Sequence, residues 1–334
     1  MNKVRKIVND PKNVVSELLE GLVLANQGRI RKLESVNALV RTHLPKGKVG
    51  LLIGGGSGHE PLFHGFIGEN MGDGAACGNI FAAPSPDIIL EATRALNQGK
   101  GVLYLYNNYA GDNMNFDIAA ELAEEEGITV RTVRIYDDVA SAPPERKEER
   151  RGIAGDVFII KIAGTVSARV KDLDEVVRVT EKARDWTRSM GVAVAAGSIP
   201  ETGEPTFLLP EDEIEIGMGL HGEPGVSRGK MLPADPLVEK MMDSLIADLP
   251  FERGNEVCLM VNNLGSTTMM ELLIINRKVR HILQERGIQV YDTAMGSFCT
   301  CQEMAGFSIT LMKLDDELKG YYDGPADSFG FRKA

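Results

Sequence analysis

Gly54-Gly55-Gly56-Ser57-Gly58-His59-Glu60-Pro61 places four glycines, an imidazole and a carboxylate directly after the apolar run 49–53. The segment is not a Walker loop, because no Gly-Lys-Ser/Thr follows. It is not a dinucleotide fingerprint either, because His59 stands where the third glycine belongs. A nucleophile elbow is excluded as well, since the residue two after Ser57 is His59 and not glycine. What remains is a backbone cradle able to approach a small polar ligand, with His59 and Glu60 at its rim. The plainer alternative is a tight turn that holds a satisfied histidine.

A second stretch, Asn107-Asn108-Tyr109-Ala110-Gly111-Asp112-Asn113, also follows an apolar run. Asp112 reads either as the N-cap of the next helix or as a carboxylate in a crevice, where partial burial raises its basicity. In the third stretch, Gly217-Met218-Gly219-Leu220-His221-Gly222-Glu223-Pro224-Gly225, His221 sits between glycines and outside any helical or strand periodicity. A neutral imidazole beside a carboxylate is a competent nucleophile toward a carbonyl, with Glu223 available to orient it.

These groups need a scaffold, and the chain is long enough to supply one. Its 334 residues at roughly 150 per domain predict two domains with cores of their own. Composition is that of an ordinary globular chain, 43% hydrophobic and 6% aromatic, with no tract poor enough in apolar residues to be disordered. Forty-eight Asp and Glu against 37 Lys and Arg give a net charge of -11, which repels nucleic acid and anionic membranes. The start of the chain carries Lys3, Arg5 and Lys6 but no apolar core of a secretory signal, and no segment approaches 18 consecutive apolar residues, so a cytoplasmic location is expected. Cys77, Cys258, Cys299 and Cys301 are too scattered for a disulfide framework or a zinc site, so no metal is expected.

Strand-then-glycine is the recurring unit. Asp10-Pro11 opens a helix that carries apolar residues at 14, 15, 18, 19, 22 and 23. Strands are predicted at 49–53, 102–106, 129–135 and 157–162, with helices over 86–96 and 116–123 between them. A long helix at 173–190 then ends at Gly191, where a domain boundary is placed: residues 1–190 against 191–334. Strands at 192–196, 214–218, 257–261, around Val290 and at 307–312, with helices at 237–249 and 269–284, fill the second half, whose edges could be antiparallel. The expected fold class is α/β: two domains, each with a central, mostly parallel or mixed sheet flanked by helices. The halves echo each other weakly, since 103–109 and 259–265 each read as strand, paired asparagines (Asn107-Asn108 and Asn262-Asn263) and turn.

Six motifs carry a family resemblance. Residues 54–61, Asn108-Tyr109-Ala110-Gly111-Asp112 with Asn115-Phe116, Arg150-Arg151-Gly152, 219–225, Val261-Asn262-Asn263-Leu264-Gly265 and Gly306-Phe307-Ser308-Ile309-Thr310 occur in order over some 290 residues. Together they resemble the substrate-binding subunit of the dihydroxyacetone kinases. The resemblance implies a two-domain α/β homodimer that holds a short ketose as a covalent hemiaminal, with His221 matching the histidine that carries it. Gly56, Ser57, Gly58 and Asn107 then bind the ketose, Asp112 accepts the proton of the hydroxyl that attacks phosphorus, and His59 orients that hydroxyl.

No cofactor is expected on this chain. In relatives a separate helical domain or subunit binds ATP or ADP with magnesium, and in some systems a phosphotransferase-system phosphocarrier recharges it. A chain ending at Ala334 resembles the stand-alone substrate subunit, inactive without that partner. One position departs from the family: the residue before Asn108 is commonly lysine and here is Asn107. Two alternatives follow, a kinase for a four-carbon ketose such as erythrulose, and a ketose-binding sensor or coactivator without kinase activity.

Overall fold

A computed structural model of the protein describes residues 5–334, so Lys3 lies outside the described residues. The chain divides into two compact units, each discontinuous in sequence. The first comprises 5–135, 156–182 and 318–334, and the second 136–155 and 183–317.

In the first unit Asp10 caps a short turn by accepting from the Lys12 N–H, and helix α1 (Val14–Ala25) follows. Strands β1 (Ile30–Lys32), β2 (Ala38–Arg41), β3 (Gly50–Ser57), the short β4 (Gly68–Glu69), β5 (Gly74–Ile80), β6 (Val102–Asn107) and β7 (Val130–Ile135) come next. Six of them make a sheet of order β1-β2-β5-β3-β6-β7. β5, β3, β6 and β7 run parallel, and β1 and β2 add an antiparallel edge. Helices α2 (Pro86–Leu96) and α3 (Ala110–Glu125) cover one face through Ile89, Leu96, Phe116 and Ala119, with the Phe116 ring stacked on Tyr106 at 4.1 Å.

Two sequence expectations change here. The run 157–162, read as a strand, lies inside helix α4 (Asp156–Arg169), nearly every residue of which is buried. A helix enclosed on all sides shows no amphipathic period, so its apolar run is indistinguishable from that of a central strand. The helix predicted at 173–190 is α5 (Leu173–Asp185), and β8 (Thr187–Ala195) begins two residues later.

In the second unit β8, β9 (Glu213–Ile216), β10 (Ser227–Lys230), β11 (Glu256–Asn263), β12 (Gln289–Gly296) and β13 (Ala305–Leu314) form a sheet of order β10-β9-β8-β13-β11-β12. Only β11 and β12 are parallel, so antiparallel pairing runs through the middle of this sheet and not merely at its edges. Helices α6 (Ala234–Asp248) and α7 (Met269–Arg286) pack on it through Leu237, Met241, Leu245, Ile275 and Val279. The expected fold class stands: two α/β units around mixed sheets.

The single boundary expected at residue 190 falls inside β8. Residues 136–155 join the second unit early, because the Ser189 N–H donates to the Asp137 carbonyl at 2.8 Å and the Val139 N–H to that of Ser189 at 3.0 Å. After the second unit is complete, α8 (Asp316–Tyr322), β14 (Ala326–Ser328) and β15 (Arg332–Lys333) close the first. β14 pairs with β4, and Lys161 Nζ donates to the Tyr321 carbonyl at 3.1 Å. Among the described residues no helix is long and apolar enough to cross a membrane, and no group of three His, Cys, Asp or Glu side chains converges as a metal site. All four cysteines are buried, and none forms a disulfide.

Candidate functional site

β3 and β6 lie side by side in parallel, with Gly54 opposite Tyr106. Their carboxyl ends therefore deliver residues 56–59 and Asn107 to the same edge of the first sheet, the edge at which α3 begins and where open α/β sheets bind ligands. Ser57, Gly58, His59, Asn107 and Asp112 are thus gathered in one unit, and none is a surface group: His59 is 3% exposed, Asn107 4% and Asp112 9%.

The glycine cradle differs from its expected form. Gly54 to Gly56 belong to strand β3, and a Cβ on any of them would collide with protein: at Gly54 the Ala76 carbonyl, at Gly55 the Phe63 ring, at Gly56 the backbone of Ala82. Gly58 has φ of +106° and faces the Phe81 ring, so only glycine fits there without strain. These glycines chiefly admit neighbouring chain. The Gly58 N–H donates to Glu60 Oε1 at 2.8 Å, and the Ser57 hydroxyl donates to the Gly78 carbonyl at 2.7 Å, keeping its lone pairs for another donor. The His59 ring packs tilted against Phe81 at 5.1 Å.

Asp112 is not the cap of α3. The N-cap is Tyr109, and Asp112 is the third helical residue. Asn107 donates through Nδ2 to Asp156 Oδ2 at 3.1 Å, while its Oδ1 is buried without a hydrogen-bond partner. A buried amide oxygen left unsatisfied costs about 1–3 kcal/mol, which a hydroxyl donor would recover. Burial opposes charge on both Glu60 and His64, yet His64 at 3.3 Å brings Glu60 down to about 2, and Cys77 first, then Glu60, bring His64 up to about 10.

His221 belongs to the second unit, on the loop that follows β9. Gly217 and Gly222 take φ of +82° and +88°, and the Gly222 N–H closes on the Gly219 carbonyl at 3.2 Å. Glu223 turns back on the histidine: its Oε1 lies 3.0 Å from His221 Nδ1, and its Oε2 accepts the His221 backbone N–H at 3.0 Å. Burial would raise the Glu223 carboxyl, but the hydrogen bond and charge of His221 reverse this and hold it down to about 2. A carboxylate at Nδ1 makes that nitrogen the protonated one in the neutral ring, leaving the lone pair on Nε2. The His221 side chain is 28% exposed.

Two groups beside these had no role in the sequence reading. Asp156, the partner of Asn107, was hidden because the run after it read as a strand. Arg151, quoted only within a motif, places Nη1 4.0 Å from Glu223 Oε2. Its signal was the acid pair Asp137-Asp138 thirteen residues upstream, legible only once the loop is folded.

Residues 20–330 match the Dak1 domain family. The dihydroxyacetone-binding subunit DhaK of the PTS-dependent dihydroxyacetone kinase 2 of Listeria innocua is 42% identical, over 98% of this chain and 99% of its own length. The L-erythrulose 1-kinase of Mycolicibacterium smegmatis is 38% identical over 98% of this chain, which spans 58% of that enzyme. Among solved structures, the dihydroxyacetone kinase of C. freundii in complex with AMP-PNP and Mg2+ superposes with a TM-score of 0.91 at 33% identity, over 98% of this chain and 61% of that one. The dihydroxyacetone kinase operon co-activator Dha-DhaQ gives 0.89 at 31% identity, over 95% and 98%.

Proposed function

The chain belongs to the Dak1 domain family, and on that premise we propose that it is the ketose-binding subunit of a dihydroxyacetone-type kinase. His221 captures the ketose, and a partner subunit supplies the phosphoryl group. The observation that carries the reading is the His221–Glu223 pair, with Oε1 3.0 Å from Nδ1. The Nε2 lone pair bonds to the carbonyl carbon, and the C=O pair moves to oxygen, which takes a proton from water. The Nδ1 proton leaves through Glu223 to solvent, and a neutral hemiaminal remains. Capture through the carbonyl discriminates a ketose from a polyol such as glycerol, which noncovalent contacts to so few atoms do poorly.

In the first unit, Asp112 takes the proton from the hydroxyl that attacks phosphorus, and His59 orients that hydroxyl. Gly56, Ser57 and Asn107 hold ketose oxygens; the Gly58 N–H, committed to Glu60, does not. The phosphoryl donor, ATP or ADP with Mg2+ on the partner or a phosphotransferase-system phosphocarrier, lies outside this chain. We propose a cytoplasmic homodimer that binds neither nucleic acid nor membrane.

The unfilled Oδ1 of Asn107 favours one refinement, a four-carbon ketose such as erythrulose, whose extra hydroxyl would donate to it. Likeness to the co-activator favours a second reading, a ketose sensor without kinase activity. Carbon-13 NMR of dihydroxyacetone and erythrulose labelled at the carbonyl tests all three. The trigonal carbonyl signal is expected to become tetrahedral on the wild-type chain and to stay trigonal on His221→Ala. Adduct on the variant overturns the assignment. Adduct without phosphorylation, when a nucleotide-binding partner is supplied both with ATP and Mg2+ and with a phosphotransferase-system phosphocarrier, selects the sensor.

A further inference from the structure

The crossing that follows β7 carries two buried acids that the proposed chemistry does not use. Asp137 accepts the Ile153 N–H at 2.8 Å and the Gly155 N–H at 2.9 Å, and so fixes the far end of the 138–152 loop. Asp138 accepts the Ala140 N–H at 3.0 Å through Oδ1, and through Oδ2 it receives Arg151 Nε at 3.1 Å and Nη2 at 2.8 Å. The same Nη2 donates to the Gly217 carbonyl at 3.0 Å, where the His221 loop begins. Nη1 then faces Glu223, and a Cβ on Gly219 would collide with both Glu223 Oε2 and Arg151 Nη1. The neighbouring arginine does something else: Arg150 is fully buried, forking onto Asp248 and donating to the Ala142 carbonyl. Of the adjacent pair, one is built into the core and the other is turned to the histidine loop.

We propose that Asp138 and Arg151 are positioning residues for ketose capture, bracing Glu223 so that Nδ1 of His221 keeps its proton and Nε2 is the nucleophile. The proposal rests on the reading of His221 given above. Its physical basis is twofold. A carboxylate on a loop hinged at two positive-φ glycines has other rotamers within reach, and a guanidinium tied to a buried acid and to the loop's first carbonyl removes them. Arg151 Nη1, 4.0 Å from Glu223 Oε2, also draws that oxygen by its charge and leaves Oε1 to Nδ1 of His221. The charged groups facing this network are Glu223 and Arg151 themselves, Asp138 with Asp137 behind it, and the Glu215–Arg228 pair, whose Glu215 accepts the Gly225 N–H at 2.7 Å. Burial, with the charge of Asp137 adding to it and Arg151 opposing, raises Asp138 to about 6. The brace therefore weakens in acid, as Asp138 is neutralised.

The test uses the full chain with nitrogen-15 histidine, the His221 signals being identified by their loss in His221→Ala. In the free wild type the ring is expected as the Nδ1–H tautomer. Arg151→Met is expected to give a mixture, to weaken the ketose adduct about tenfold or more, the scale of one hydrogen bond to a charged group, and to lose the fall in affinity that neutralisation of Asp138 in acid gives the wild type. Arg151→Lys, which restores charge without the fork, recovers only part of the affinity. Asp138→Asn and Gly219→Ala disturb the same contacts without removing the guanidinium and are expected to move the tautomer in the same direction, so a failure of Arg151→Met to fold leaves the question answerable. A folded Arg151→Met with wild-type tautomer, affinity and pH profile overturns the proposal. The tautomer is read without ketose, so absence of any adduct on the wild type would strike the reading of His221 and leave the bracing effect measurable.

Discussion

The two units contain the same local design, and only one copy of it is closed. In each, a strand runs into paired asparagines and leads to a helix with an acid at its third position: β6, Asn107-Asn108 and Asp112 on α3; β11, Asn262-Asn263 and Glu271 on α7. Asn262 is satisfied from both ends of its amide. It donates to the Cys299 carbonyl at 2.7 Å and to Ser308 Oγ at 3.2 Å, and it accepts the N–H groups of Phe298 and Cys299 at 2.9 and 3.0 Å. Glu271 is spent in a capping box, receiving the Thr268 N–H at 2.8 Å. Asn107 has a bonded amide nitrogen and an unfilled oxygen, and the residue that should complete a box with Asp112 is Tyr109, which has no side-chain cap bond to offer. Shared sequence pattern therefore says little about function; the unfilled valence does.

The contrast can be broken by mutation. Asn262→Ala strands the buried Cys299 N–H and the half-buried Phe298 N–H and should destabilise the protein by about 3 kcal/mol or more, read as a lower denaturant midpoint; a change below about 1 kcal/mol would mean that water takes over. Asp112→Asn should leave the ketose adduct intact and lower phosphorylation, with partner present, roughly 10²-fold. Loss of the adduct instead would make Asp112 structural, like its counterpart Glu271. Asn107→Lys should shift kcat/KM by about tenfold, or 1.4 kcal/mol, from erythrulose toward dihydroxyacetone, because the acceptor for the extra hydroxyl is gone; an unchanged ratio removes the role given to Oδ1. Thr268→Ala opens the capping box of α7 and should cost about 1 kcal/mol in thermal unfolding with no effect on phosphorylation.

The alternation of strands and helices was legible because most elements are one-sided, as the helices over 86–96 and 269–286 show. It failed at 157–162, where burial on every side erases the period, and at 186–190, where the helical pattern runs on into β8. His59, Asn107, Asp112 and His221 were legible as residues because each stands next to a glycine or a turn. What filled or left open their valences was not, since Asp156 is 49 residues from Asn107 and Arg151 is 70 or more from His221 and Glu223 along the chain. Sequence shows which atoms could react, and only folding decides which of them are already engaged.

The return of residues 318–334 to the first unit sets an order on synthesis. β4 is made early, but its partner β14 leaves the ribosome only after the whole of the second unit, with Asp327 waiting on Glu69 across more than 250 residues. The second unit, whose main segment 183–317 is contiguous, can mature while the first is still missing a strand pair and the carbonyl that receives Lys161. The unit that carries the glycine cradle is started first and finished last, so a chain released after residue 317 would hold every strand of the second sheet but lack α8, β14 and β15 of the first unit.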